Sequence, residues 1–181
     1  MGAMGAGLLV DNALGATGPL ADLDLAVARL AIAAEILAIA FYTEGIASKQ
    51  LSGAELKYLN RALFNEQEHL TAVSQIISGA GGTPATADDF TITFPKGSFA
   101  SRTSIAKLGL TLETGFVGAY LGAVDEFTPE DLKTTAARIA ASESQHLSVF
   151  SNMVYGQPVG VSFPLPIDLE TASDFLDGFL S

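Results

Sequence analysis

The sequence predicts an all-α four-helix bundle with a long crossover between its second and third helices and a short C-terminal helix. Three observations carry that expectation. Four segments of about 25 residues keep apolar side chains at helical spacing and carry helix start and stop signals. The first helical pair recurs in the second at a near-constant offset: Glu35 and Glu113 are 78 apart, as are Tyr42 and Tyr120, while Glu66 and Glu143 are 77 apart, as are His69 and His146. Such self-similarity reads as two copies of a helix-hairpin unit. Both of the chain's two histidines follow a glutamate by three residues, in Glu66-Gln67-Glu68-His69 and Glu143-Ser144-Gln145-His146. With 10 glutamates among 181 residues, two such coincidences have a chance probability on the order of 0.003.

Taken in order, residues 1–18 are rich in Gly and Ala and read as a flexible N-terminal tail. No Lys or Arg precedes Arg29, so the basic n-region of an intact signal peptide is missing, which leaves a cytoplasmic protein or one exported after loss of a leader. The bundle is expected over residues 19–156 and a C-terminal extension over 157–181. The first helix spans about Ala21 to Gly45, with Pro19 and Asp22 as start signals. It is apolar almost all round, as a helix deep in a bundle should be. A membrane span is not expected, because Arg29 and Glu35 within it would each cost about 2.5–3.5 kcal/mol at a bilayer centre. Glu35 is the anomaly of this helix: a buried carboxylate needs a proton, a salt bridge or a metal.

Ser52-Gly53-Ala54-Glu55 reads as a capping box opening the second helix, whose apolar positions run from Leu59 to Ile77 and end at Gly79. The stretch from Gly79 to Arg102 has no sustained helical pattern and is long for a loop in a compact domain. Parallel second and third helices explain it, since about 24 extended residues reach up to about 80 Å and the bundle is about 37 Å long. The alternation of Phe90, Ile92 and Phe94 predicts that part of this crossover lies extended on the bundle. The third helix covers about Ser104 to Asp125, and its Gly109, Gly115, Gly118 and Gly122 predict tight packing by a neighbouring helix. Thr128 as N-cap and Pro129 at the first helical position open the fourth helix, which runs to about Tyr155. A last amphipathic segment carries Ala172, Phe175, Leu176, Phe179 and Leu180 on one side and is expected to pack on the bundle.

Composition removes several function classes. The formal net charge of −11, with only nine scattered Lys and Arg, is wrong for nucleic acid or an anionic membrane. The absence of cysteine excludes disulfides, thiolate zinc sites, iron–sulfur centres and thiol catalysis. Hydrophobic residues make up 49% of the chain and charged ones 16%, which predicts burial between the subunits of a homo-oligomer.

On a helix, positions i and i+3 share a face, so each Glu-x-x-His brings a carboxylate and an imidazole to one cation. Adding one glutamate from the first helix of each copy, Glu35 and Glu113, assembles four carboxylates and two imidazoles. That is the ligand count for two cations in a bundle core. Carboxylate and imidazole suit iron, manganese and zinc alike.

These residues resemble the ferritin-like superfamily of di-iron and di-manganese carboxylate proteins. The chain is most similar to bacterial and fungal ferritin-like domains related to desiccation-associated proteins, through Glu35 followed by Phe41-Tyr42, Leu112-Glu113 followed by Gly118-Ala119-Tyr120-Leu121-Gly122, and the crossover start Gly81-Gly82-Thr83-Pro84. The resemblance spans about Ala21 to Tyr155. It implies Glu35 and Glu113 as terminal ligands, one imidazole per metal from His69 and His146, and Glu66 and Glu143 as bridges. Tyr42 and Tyr120 stand as candidates for hydrogen bonding beside the metals or for carrying electrons. His146 departs from a ferritin storage centre, and the lack of cysteine from the rubrerythrin pattern with its rubredoxin iron. Gln67 departs from the methionine with which bacterioferritin holds haem.

Three functional classes follow. The first is an oxidoreductase whose iron or manganese pair reacts with oxygen or peroxide. The second is non-catalytic metal binding or sequestration. The third is a stress-response scaffold that keeps the bundle without using the metals.

Overall fold

The computed structural model describes residues 20–181; the expected tail over 1–18 and the start signal Pro19 lie outside the described residues. Four long helices, α1 (Asp22–Ala47), α2 (Gly53–Gly79), α3 (Arg102–Glu126) and α4 (Glu130–Tyr155), are followed by the short α5 (Leu169–Asp177). This is the all-α bundle that the repeat predicted. α1 packs beside α2 and α3 beside α4, while α1 meets α3 and α2 meets α4 across the bundle. Tyr42 of α1 reaches Glu113 of α3 while Tyr120 reaches back to Glu35, so α1 and α3 run antiparallel. α2 and α3 therefore run in the same direction, which is why the chain needs its long return.

That return is ordered rather than a bare loop. Thr86 and Asp89 form a reciprocal capping box around a single 3-10 turn, Ala87–Asp89, which sequence patterning did not reveal. Phe90, Ile92 and Phe94 then lie extended against the core. Ile92 pairs antiparallel with Leu180, and Thr91 and Thr93 exchange backbone hydrogen bonds with Ser181 and Phe179. The crossover and the C-terminus thus clasp each other. Phe94, Phe99, Phe175 and Phe179 stack edge-on or tilted around that clasp, at centroid separations of 5.2–6.3 Å, the favoured geometry of aromatic pairs.

Several local expectations need correction. Ser52 does stand at the N-cap of α2, but its side chain makes no capping bond. Glu55 is committed instead to Arg102, with contacts of 2.6–3.1 Å that tie the start of α2 to the start of α3. Thr128 is not the N-cap of α4; Pro129 is, and the Thr128 N–H donates to the buried carboxylate of Asp24 at 2.8 Å. The α3 glycines face more than a neighbouring helix. A Cβ on Gly109 would strike Phe150 of α4, but one on Gly115 would strike Phe175 of α5. At Gly118 and Gly122 the neighbour is the extended segment leading into α5, whose Ile167 N–H bonds to the Gly118 carbonyl at 3.0 Å. The glycines let a strap cross α3 at backbone distance.

The apolar core forms two layers. One holds Leu37, Phe41, Leu59, Leu112, Phe116 and Phe150; the other holds Val27, Ile32, Val73, Ile77, Leu132 and Ile139. Burial of such a side chain contributes about 1.5–3 kcal/mol. α1 is the one helix among the described residues that is long and apolar enough to cross a membrane, and 61% of its most apolar window is buried inside the bundle. Between the two layers, at mid-height, all four long helices place polar groups.

Candidate metal centre

Glu35, Glu66, Glu113, Glu143 and His146 are each no more than 2% exposed, and His69, with 13% of its side chain exposed, is the most open of the six. Helix periodicity brings them there. Residues 35 on α1 and 113 on α3 face inward within almost wholly apolar helices, and the pairs 66/69 and 143/146 occupy the inner faces of α2 and α4.

The distances divide the four carboxylates into two kinds. His69 Nδ1 lies 3.2 Å from Glu66 Oε2, 3.0 Å from Glu143 Oε1 and 3.6 Å from Glu35 Oε2. His146 Nδ1 lies 2.8 Å from Glu66 Oε1, 3.0 Å from Glu143 Oε2 and 3.8 Å from Glu113 Oε2. Glu66 and Glu143 therefore send one oxygen toward each histidine, whereas Glu35 faces only His69 and Glu113 only His146. Two overlapping groups result, Glu35-Glu66-His69-Glu143 and Glu66-Glu113-Glu143-His146, each with its donor atoms within 4.8 Å of one another.

Protein hydrogen bonds do not satisfy this cluster. An imidazole nitrogen carries at most one proton, yet each Nδ1 faces three carboxylate oxygens. His69 directs its contact at Glu66 and His146 at Glu143. One buried oxygen on every glutamate is left without a hydrogen bond: Oε2 of Glu35 and Glu113, Oε1 of Glu66 and Glu143. An unsatisfied buried polar atom costs about 1–3 kcal/mol, more when charged, so four in one place ask for a ligand with positive charge and several bonds to give. Two divalent cations fit that demand, with four carboxylates supplying the balancing charge.

Proton affinities show the same strain. Burial raises Glu35 to about 8, against a partial pull downward from His69. Burial and the neighbouring Glu143 and Glu66 push Glu113 well above the usual carboxylate range. Burial opposes the charged form of both histidines, but their carboxylate contacts outweigh it, driving His69 strongly upward and His146 to about 9. Glu143 resists burial through its contacts with His146 and His69 and falls to about 2. Without cations, protons take their place.

Tyr42 and Tyr120 reach the centre crosswise. Tyr42 of α1 donates to Glu113 of α3, and Tyr120 of α3 donates to Glu35 of α1. Each phenol holds the carboxylate of the opposite helix, and burial keeps both protonated far above the usual phenol range. Two further residues escaped sequence reasoning. Tyr58 of α2 hydrogen-bonds Tyr42, oxygen to oxygen at 3.3 Å, and Asn65 places its amide nitrogen 3.1 Å from His146 Nε2. Rotating that amide by 180° offers its carbonyl to an Nε2–H, the bond that ligation through Nδ1 requires. The available signal was a break in the repeat: at the 77-residue offset, Tyr58 maps onto Thr135 and Asn65 onto Ser142.

A search of curated proteins finds no match to this chain. The ferritin-like domain family matches residues 23–156, a span that begins in the first turn of α1, ends just past α4 and contains all six converging residues. With its helical order and its paired Glu-x-x-His helices, the chain belongs to the ferritin-like domain family.

Proposed function

We propose that this protein holds two divalent cations, iron or manganese, with zinc also compatible, and uses them in redox chemistry with oxygen or peroxide. The observation that carries the proposal is the set of four buried carboxylate oxygens without hydrogen bonds, aimed at the two imidazole Nδ1 atoms. In this reading Glu35 with His69 and Glu113 with His146 would hold one cation each, and Glu66 and Glu143, which send an oxygen toward each histidine, would serve both. Bound there, the pair supplies two neighbouring redox centres for one small oxygen species. The chain's own residues do the rest. The two apolar layers keep bulk water out, and Tyr42 and Tyr120 orient Glu113 and Glu35 while holding a proton at each phenol oxygen. The relation to desiccation-associated domains, and with it a role in stress response, rests on the Gly81-Gly82-Thr83-Pro84 and Gly118-Ala119-Tyr120-Leu121-Gly122 motifs and belongs to this proposal.

Stopped-flow mixing of the reduced, iron-loaded protein with oxygen or peroxide tests the catalytic part. Oxidation should outpace that of free ferrous iron under the same conditions. Glu66→Ala and Glu143→Ala should lose turnover while keeping part of the metal, and Glu68→Ala should match the parent. If metal content and turnover fall together in every variant, the centre sequesters metal; if the loaded parent is inert, the scaffold reading replaces both.

Association of copies is part of the same proposal. Val159, Val161, Phe163 and Leu165, on the segment that crosses from α4 to α5, are 72–87% exposed. Four large apolar side chains left open within seven residues are the kind of surface that marks a contact with another chain.

A further inference from the structure

The repeat predicts two equivalent cation positions, but the residues around them are not equivalent. At the Glu113–His146 end, the rings of Tyr42 and Tyr58 stand 5.9 and 6.1 Å from the His146 ring, and Phe150 packs on both tyrosines at 5.7–6.1 Å. Phe41 closes against Phe150 at 5.7 Å. Asn65 occupies the outer nitrogen of His146. At the repeat offsets Tyr42 maps onto the identical Tyr120, but the other four positions hold smaller groups: Phe150 maps onto Val73, Phe41 onto Ala119, Tyr58 onto Thr135 and Asn65 onto Ser142. The His69 side chain is 13% exposed against 3% for His146. A small apolar cleft of about 30 Å³ is lined by Ala34, Ala119 and Tyr120, the tyrosine that holds Glu35.

We infer that the two positions are functionally distinct: the Glu113–His146 position is closed and retains its cation, while the Glu35–His69 position exchanges, admitting cations and small ligands from solvent. Asn65 is the positioning residue that makes the difference. It fixes the tautomer and tilt of His146, and outer partners of this kind are worth 10–100-fold in metal affinity. Among the described residues no comparable hydrogen bond reaches His69, whose one such contact is Nδ1 to Glu66, and the position equivalent to Asn65 holds the shorter Ser142. The inference rests on the two-cation reading of the centre.

The test loads the whole chain with Co(II) and follows release into excess chelator by absorbance. The parent should lose its two ions in two phases of equal amplitude, separated by an order of magnitude or more in rate. Asn65→Ala should accelerate the slow phase 10–100-fold and leave the fast phase unchanged, whereas Asn65→Asp, which keeps an acceptor for the ring N–H, should preserve the slow phase. Ser142→Asn, which installs the missing acceptor on the other half, should slow the fast phase. A general loss of stability would move both phases together and overturn the assignment to Asn65. Release of two ions in a single phase overturns the inference while leaving the metal reading intact; a chain that binds no Co(II) overturns both.

Discussion

Loading the centre with metal should expel about four protons at pH 7. Four buried glutamates carry four formal negative charges, and either two divalent cations or four protons bring the cluster to neutrality, which burial between two apolar layers favours. The proton carriers in the metal-free protein are identified by their upward displacement: Glu35 to about 8, Glu113 well above the carboxylate range, His69 strongly upward and His146 to about 9. All four groups hold their protons at neutral pH and must surrender them to become ligands. Two protons per cation make the apparent affinity for each ion fall about 100-fold, about 2.7 kcal/mol, for each unit of acidification. The dependence should flatten in two steps, as the pH passes about 8, where Glu35 gives up its proton, and about 9, where His146 does. Calorimetric titration of the apo-protein with Mn(II) in buffers of differing ionisation enthalpy counts the protons directly. Release of fewer than about two per loaded chain, or an affinity indifferent to pH between 6 and 8, would refute the account of four protons standing in for two cations.

The same displacements make the apo-protein's stability pH-dependent. Glu35 is raised from an ordinary 4.5 to about 8 and His146 from 6.5 to about 9, so the stability each contributes is full below the ordinary value and is lost as pH rises through the folded one. The melting temperature without metal should therefore fall between about pH 4.5 and 9, and the gap between loaded and chelated protein should widen over that window. Gly122→Ala drives a methyl into the Ile167 carbonyl and should cost on the order of 1–3 kcal/mol in thermal unfolding, whereas Gly160→Ala, with open space around it, should be near neutral. Phe163→Asp should dissociate a parent that sedimentation shows to be oligomeric, and a monomeric parent would dismiss the exposed strap as a contact surface.

Helix number, order and the six converging side chains were legible from the chain alone because they are written locally. Periodicity assigns each helix face, a three-residue spacing pairs Glu with His on that face, and an internal repeat reports the pseudo-symmetry of the bundle. The long return between the second and third helices was legible for a similar reason, since chain length and helix direction bound each other. Sequence could not say what surrounds the centre. The crossed tyrosines, with Tyr42 on Glu113 and Tyr120 on Glu35, depend on the antiparallel setting of α1 against α3. Asn65 meets His146, 81 residues away, only because α2 and α4 pack face to face. Capping misled in the same way: Glu55 and Thr128 have local capping roles by motif, yet Arg102 takes the Glu55 carboxylate and Asp24 takes the Thr128 N–H, each from a helix distant in sequence. The α3 glycines signalled a close neighbour without identifying it, because an absent side chain records that space is needed and not whether a helix or the strap at Ile167 will fill it. Spacing along one helix is a property of the backbone and survives in any fold, whereas a contact between helices exists only once packing has chosen their order, direction and rotation.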